Sequence, residues 1–293
     1  MVEFNPLTAG KQQEANPLHK FFRQPKVYTT LPSKGQYYPA GALEMPETNE
    51  LPVFAMTAKD ELTMKTPDAL LNGQATVDVI KSCVPSIKDP WKMPSVDLDA
   101  ILIAIRIATY GEKLEITTKV PVSGEERSYQ VDLRQILSKL VTVDFSGSLV
   151  IDNMNVKVRP LSYAEFTKSN LKTFEEQRVF SLVNDDTMPD EEKLSKFNES
   201  FRKLTDLTVD MLGKSVYSIT VDDIEVTNEA HIQEFLQNSD KNFFNSILEF
   251  LEEEKKKFQI EPMKVTSTDE DIELGAPATF EVPITFDQSN FFA

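Results

Sequence analysis

One cysteine, two histidines and nine glycines in 293 residues leave little room for several common chemistries. A single thiol, Cys83, closes no intrachain disulfide, which agrees with a reducing compartment; Cys83 reads as a small buried hydrophobe. A Ser–His–Asp or Cys–His site would have to use His19 or His231. His231 stands between Glu229 and Glu234 at a helix start, where a solvated side chain is the expectation. The glycines are dispersed and form neither GxxxxGK[ST] nor GxGxxG, so no phosphate cradle or cofactor loop is expected. Long apolar runs are missing too. AILIAIRIA (100–108) is the best, and Arg106 interrupts it. With no apolar run of signal-peptide length near the N-terminus, no encoded signal for crossing a membrane is expected.

Positive charge is also scarce. Lys and Arg number 31 against 47 Asp and Glu, for a net charge of −16, which argues against a phosphate backbone as partner. The one basic run, Lys255-Lys256-Lys257, follows Glu252-Glu253-Glu254 and reads as i,i+3 and i,i+4 pairing on a solvated helix. Carboxylates are plentiful, so counting alone leaves a paired-acid hydrolase open. The densest groups, Asp185-Asp186 and Asp269-Glu270-Asp271, have no EF-hand spacing and read as charged turns.

What is present is the composition of a globular protein, 40% hydrophobic and 27% charged. Residues 1–24 read as an extended arm that orders against something else. A strand and a turn-rich loop follow over 27–43, then PVFAMTAKDELTMKTPDALLNG (52–73). In that stretch Val53, Phe54 and Met56 form a strand and Thr57 caps a helix over 58–62. Thr66-Pro67 starts a second helix that includes Asp68 and stops at Gly73. These polar residues stand where helix starts need oxygen acceptors, so the stretch reads as architecture. Thr76–Val84 is a further short helix. Ser95 or Asp97 caps VDLDAILIAIRIATYG (96–111), apolar nearly all round and therefore central to a core. Paired strands are expected over 114–120 and 128–133. A hairpin over 148–161 has Asp152-Asn153 at its tip.

Helices over 162–183 and 190–212 open the second half, and VYSITV (216–221) is a strand-like spacer. A helix from Thr227 breaks at Asn238-Ser239. After the break Phe243, Phe244, Ile247, Leu248, Leu251 and Phe258 share one face. Strands MKVTST and ATFEVPITF precede an apolar tail. The expectation is an α+β fold: an N-terminal mixed domain with β-hairpins around a central helix, a helical second half and C-terminal strands. Its expected divisions are an arm (1–24), a mixed domain (25–161), a helical domain (162–260) and closing strands with a tail (261–293).

The lead-in TTLPSKGQYY (29–38), the strand and MTAKDEL turn, the TPDALLNG helix and the ending PITFDQSNFF (283–292) resemble the baseplate hub subunit and hub-assembly family of T4-like contractile-tailed bacteriophages. The resemblance covers the first 160 residues or so and the last 30. Members with cysteine pairs after the apolar helix resemble zinc ribbons; here Lys119 and Val122 occupy those places, so a metal-free hairpin is expected.

The resemblance implies a non-enzymatic tail protein that forms or helps assemble the central baseplate hub, with other hub or tail proteins as partners and an oligomer within a symmetric assembly as an open alternative. It implies neither cofactor nor nucleic acid, and a site in the host cytoplasm during assembly and in the virion tail. Aromatics in the arms are the candidate anchors: Phe21, Phe22, Tyr28, Tyr37, Tyr38, Phe291 and Phe292, with Lys59 as an exposed charge. Two readings stay open at this point, a transient chaperone-like factor absent from the virion and a carboxylate-based hydrolase. For Phe291 and Phe292, folding back on their own domain is an equal alternative.

Overall fold

The computed structural model describes Leu18, residues 21–66, 73–183 and 189–284, and Phe291 and Phe292; for residues 179–183 and 190 it describes the backbone only. The helix expected around Asp68, His19 and Asp185-Asp186 lie outside the described residues, as does most of the arm.

The first unit is built on an antiparallel pair, β1 (Pro25–Thr29) and β2 (Leu51–Phe54), laid against helix α3 (Leu98–Tyr110). Every residue from Ala100 to Ala108 is buried, as an all-round apolar helix requires. Gly111 ends α3 at φ 94, a conformation open to glycine and costly for other residues. Arg106 survives inside this helix by lying over the Tyr110 ring, 4.5 Å from its centroid. Burial lowers its pKa. Helices α1 (Ala58–Met64) and α2 (Gln74–Cys83) pack alongside. A hairpin, β3 (Lys113–Lys119) with β4 (Glu126–Asp132), runs into α4 (Leu133–Leu140), whose Leu133, Leu137 and Leu140 close the same core.

The second unit is a four-stranded antiparallel sheet in sequential order. It consists of β5 (Ser148–Ile151), β6 (Met154–Val158), β7 (Val216–Val221) and β8 (Ile224–Val226). The expected spacer VYSITV is thus an inner strand, and the boundary expected near residue 161 falls within this unit, because Val158 pairs with Val216. Two hairpins that look separate in sequence meet because Val156 and Val158 of β6 and Val216 and Ile219 of β7 are buried together in one core, which side-by-side pairing of the two strands allows. Between them stands a long helical hairpin, α5 (Tyr163–Val183) and α6 (Asp190–Ser215).

Helices α7 (Glu229–Asn238) and α8 (Lys241–Lys257) break at Asn238-Ser239, as expected, and Asn228 and Asp240 cap them. Their Ile232, Leu236, Phe243 and Ile247 cover the sheet. The closing strands β9 (Met263–Thr266) and β10 (Thr279–Val282) pair with each other around α9 (Asp269–Glu273). No helix among the described residues is long and apolar enough to cross a membrane.

A seam joins the two units. Trp91 stacks on Tyr163 at 5.5 Å, and Tyr37 points edge-on at Phe145, which leans on Phe258. Ser146 N donates to Glu254 Oε2 at 2.8 Å. Glu254 is almost fully buried and holds Lys257. Of the pairing expected of the Glu–Lys run, the i,i+3 pair Glu254–Lys257 is present, and its carboxylate belongs to the interior instead of a solvated face.

Candidate interaction surface

The polar residues of the 52–73 stretch are consumed by the fold. Thr57 caps α1 and receives the Asp60 N–H, while Asp60 Oδ2 accepts from Thr57 N and Oγ1, each at 2.8 Å. Asp60 also accepts from Ser82 Oγ at 3.0 Å and faces Arg23 at 3.5 Å. Arg23 in turn donates to the Ala55 carbonyl and to the Ser82 carbonyl and hydroxyl, and lies over the Phe54 ring. Burial is the main cause that pushes the neighbouring Cys83 thiol up to about 12, an inert group. This network was not legible in the sequence: Arg23 lies in what reads as an arm, 37 positions before its carboxylate.

The LPSKGQYY loop is spent in a similar way. Asp97 does not cap α3 with its side chain. Its carboxylate accepts instead from Ser33 N at 2.7 Å, Ser33 Oγ at 2.6 Å and Tyr38 Oη at 2.9 Å. Burial dominates and raises Asp97 to about 6 despite these donors. Burial also raises the Tyr38 hydroxyl far above its ordinary range. Tyr38 is thus a strut between loop and helix, and Tyr37 belongs to the seam.

Phe291 and Phe292 are buried in the first core, edge to face at 4.9 Å, with Tyr110 Oη donating to the Phe292 carbonyl at 3.1 Å. Of the two alternatives for this pair, the structure takes the fold-back on its own domain.

What remains accessible collects along β1. Arg23 pins the chain where Phe21 and Phe22 stand 73% and 55% exposed. Beyond them, Lys26 stands at a bulge in β1, where the register shifts between Pro25 and Val27, and Tyr28 is 60% exposed further along the strand. Lys26 borders an open cavity of about 480 Å³ that is lined also by Val27, Ile107, Tyr110, Lys113, Arg134 and the acidic Glu112. Arg134 pairs with Glu112 at 2.8 Å. Lys59 is exposed on α1 beside Asp60, at the other end of the Arg23 network. The structure leaves Phe21, Phe22, Tyr28 and Lys59 exposed and places Tyr37, Tyr38, Phe291 and Phe292 in packing contacts. No cluster of three or more His, Cys, Asp and Glu that could hold a metal occurs among the described residues.

An α+β chain whose polar networks brace its elements, and whose aromatics are held outward beside a basic rim, has the chemistry of a contact-making structural protein. The sequence narrows this further: it matches the model of the T4 bacteriophage base plate protein family over residues 23–280, and the chain belongs to that family. The match includes the LPSKGQYY loop, the MTAKDEL turn and the helices of 162–260, and stops short of PITFDQSNFF. No curated protein and no solved structure matches the chain. It is a structural protein of the phage tail baseplate, with other tail proteins as its partners.

Proposed function

We propose that this chain forms or helps assemble the central baseplate hub, without catalysis, by docking other hub proteins on the β1 surface. The observation that carries this reading is the exposure of Phe21 and Phe22 beside Arg23, which is held by Ser82 and Asp60, with Tyr28 exposed on the adjoining strand and three cations, Lys26, Lys113 and Arg134, against one carboxylate, Glu112, around the cavity. Aromatic anchors already held in place bind with less ordering cost than anchors on a free arm. The basic rim within a chain of net charge −16 favours an acidic segment of the partner.

A hydrolase would need a convergent acid pair in a cleft. Asp97 and Asp99 are both raised to about 6, burial being the leading cause for each. Asp97 is wholly enclosed with its oxygens occupied, and neither carboxylate lines the 480 Å³ cavity.

The test is quantitative mass spectrometry of purified virions beside infected-cell lysate, with wild-type chain and with Tyr28→Ala/Phe22→Ala. Stoichiometric wild-type peptides in particles identify a resident hub subunit, and the double variant is expected to stay folded but fall out of the particles. Abundance in lysate with absence from particles would identify a transient assembly factor. Normal incorporation of the double variant would overturn the docking surface.

A further inference from the structure

Helices α5 and α6 form an arm whose two flanks differ in chemistry. The seam between the helices is small and polar: Ser169 and Ser200 are buried in it, and Lys203 reaches Glu176 at 3.7 Å and Glu199 at 3.0 Å. At 100° per residue, Glu165, Lys168 and Lys172 of α5 share a flank with Asp210 and Lys214 of α6, and these five line a shallow cleft there. The same periodicity turns Phe174 of α5 and Leu194 and Phe201 of α6 to the opposite flank, 52%, 62% and 60% exposed. Seven residues separate Leu194 from Phe201 and seven more lead to Thr208, a heptad stripe.

The positions on that flank, Asn170, Thr173, Phe174 and Gln177 of α5 and Leu194, Asn198, Phe201, Thr205 and Thr208 of α6, are uncharged, and charge returns at its edges with Arg178 and Arg202. Even its threonines are spent: Thr205 donates to the Phe201 carbonyl and Thr208 to the Leu204 carbonyl, each at 2.9 Å, so burying them strands no hydroxyl. An uncharged stripe with exposed aromatics, on a chain that is 27% charged, has the composition of an interface centre.

We propose that this flank seats a second copy of the chain, the two arms packing flank to flank about a two-fold axis as a four-helix layer. Two copies of net charge −16 repel each other everywhere except where charge is absent, and this flank is such a place. It offers no charge for a differently charged partner to complement, whereas a two-fold contact sets its aromatics against their own kind. At the exposures given, its side chains present at most on the order of 500 Å² per copy, so complete burial in a pair just reaches the threshold of about 1,000 Å² for a specific interface, as expected of a weak dimer. The proposal is independent of the hub reading, because it concerns a different face and needs no other protein.

The test is sedimentation equilibrium of the full chain over a concentration series, at low and physiological salt. Wild type is expected to approach twice 33.2 kDa. Phe174→Asp/Phe201→Asp and, separately, Leu194→Lys are expected to weaken association at least 100-fold with unchanged circular dichroism. Lys172→Glu on the charged flank is expected to leave it intact. Added salt strengthens the dimer by screening the net charge. A wild type monomeric throughout, a dimer indifferent to the Phe174 and Phe201 changes, or a dimer dissolved by salt would each overturn the proposal. A flank occupied only by another tail protein appears as the first of these outcomes.

Discussion

Asp97 shows how one buried side chain can set a pH dependence. Its pKa rises from the ordinary 3.8 to about 6 in the folded chain, chiefly through burial. A carboxyl raised on folding holds its proton more tightly folded than unfolded. Its contribution is complete below about pH 4 and is lost as pH rises through about 6. A rise from 3.8 to about 6 corresponds to roughly 3 kcal/mol. Asp99, also raised to about 6, acts in the same direction, so the informative quantity is the difference between wild type and a variant. Asp97→Asn is expected to flatten the fall of stability between pH 4 and 6 in urea melts. Asp97→Ala, which strands Ser33 N and Tyr38 Oη, is expected to lose about 2–4 kcal/mol at pH 7. An unchanged slope in Asp97→Asn would place the titration elsewhere. Arg23 supplies the second case at this scale. Arg23→Ala removes the anchor of Phe21 and Phe22, so the expected result is rapid amide exchange over residues 21–24 with β1 still protected.

At the scale of elements, local signals were legible where periodicity and caps agree. Thr57 marked the start of α1, Gly111 ended α3, and the Asn238-Ser239 break separated α7 from α8. Pairing between distant segments was not legible, because nothing within VYSITV says whether a strand lies beside it; its partner β6 ends 58 residues earlier. The same blindness hid the Arg23–Asp60 and Ser33–Asp97 contacts, and it made Phe291 and Phe292 equally readable as anchors or as core. The turn Asp222-Asp223 between β7 and β8 carries a prediction of its own. Both residues have positive φ, 48° and 64°, a pair suited to Asn-Gly. Asp222→Asn/Asp223→Gly is expected to raise stability by about 1 kcal/mol in equilibrium denaturation, and a loss of stability would show that the aspartates hold the turn by another contact.

Across the whole molecule, two cores share one seam, and its strength decides whether the chain unfolds in one step or two. The larger core surrounds α3 and the smaller lies between the four-stranded sheet and α7–α8. Between them stand Tyr37, Phe145 and Phe258, the buried Glu254 that accepts from Ser146, and Trp91 against Tyr163. Glu254→Ala leaves Ser146 N without its acceptor and releases Lys257, while touching the centre of neither core. Trp91 is the sole tryptophan and stands on the seam, so its fluorescence reports that contact alone, whereas far-UV circular dichroism reports both units. In wild type the two signals should melt together. In Glu254→Ala the fluorescence transition is expected to come several degrees before the dichroism, with each core largely retaining its own stability. Coincident transitions in that variant would mean that the backbone bonds across the seam, from Ser95 N to the Leu161 carbonyl and from Tyr163 N to the Met93 carbonyl, suffice with the Trp91 stack to couple the units. Separation would establish the seam as the element that lets a baseplate subunit present its β1 surface and its helical arm in one fixed relation.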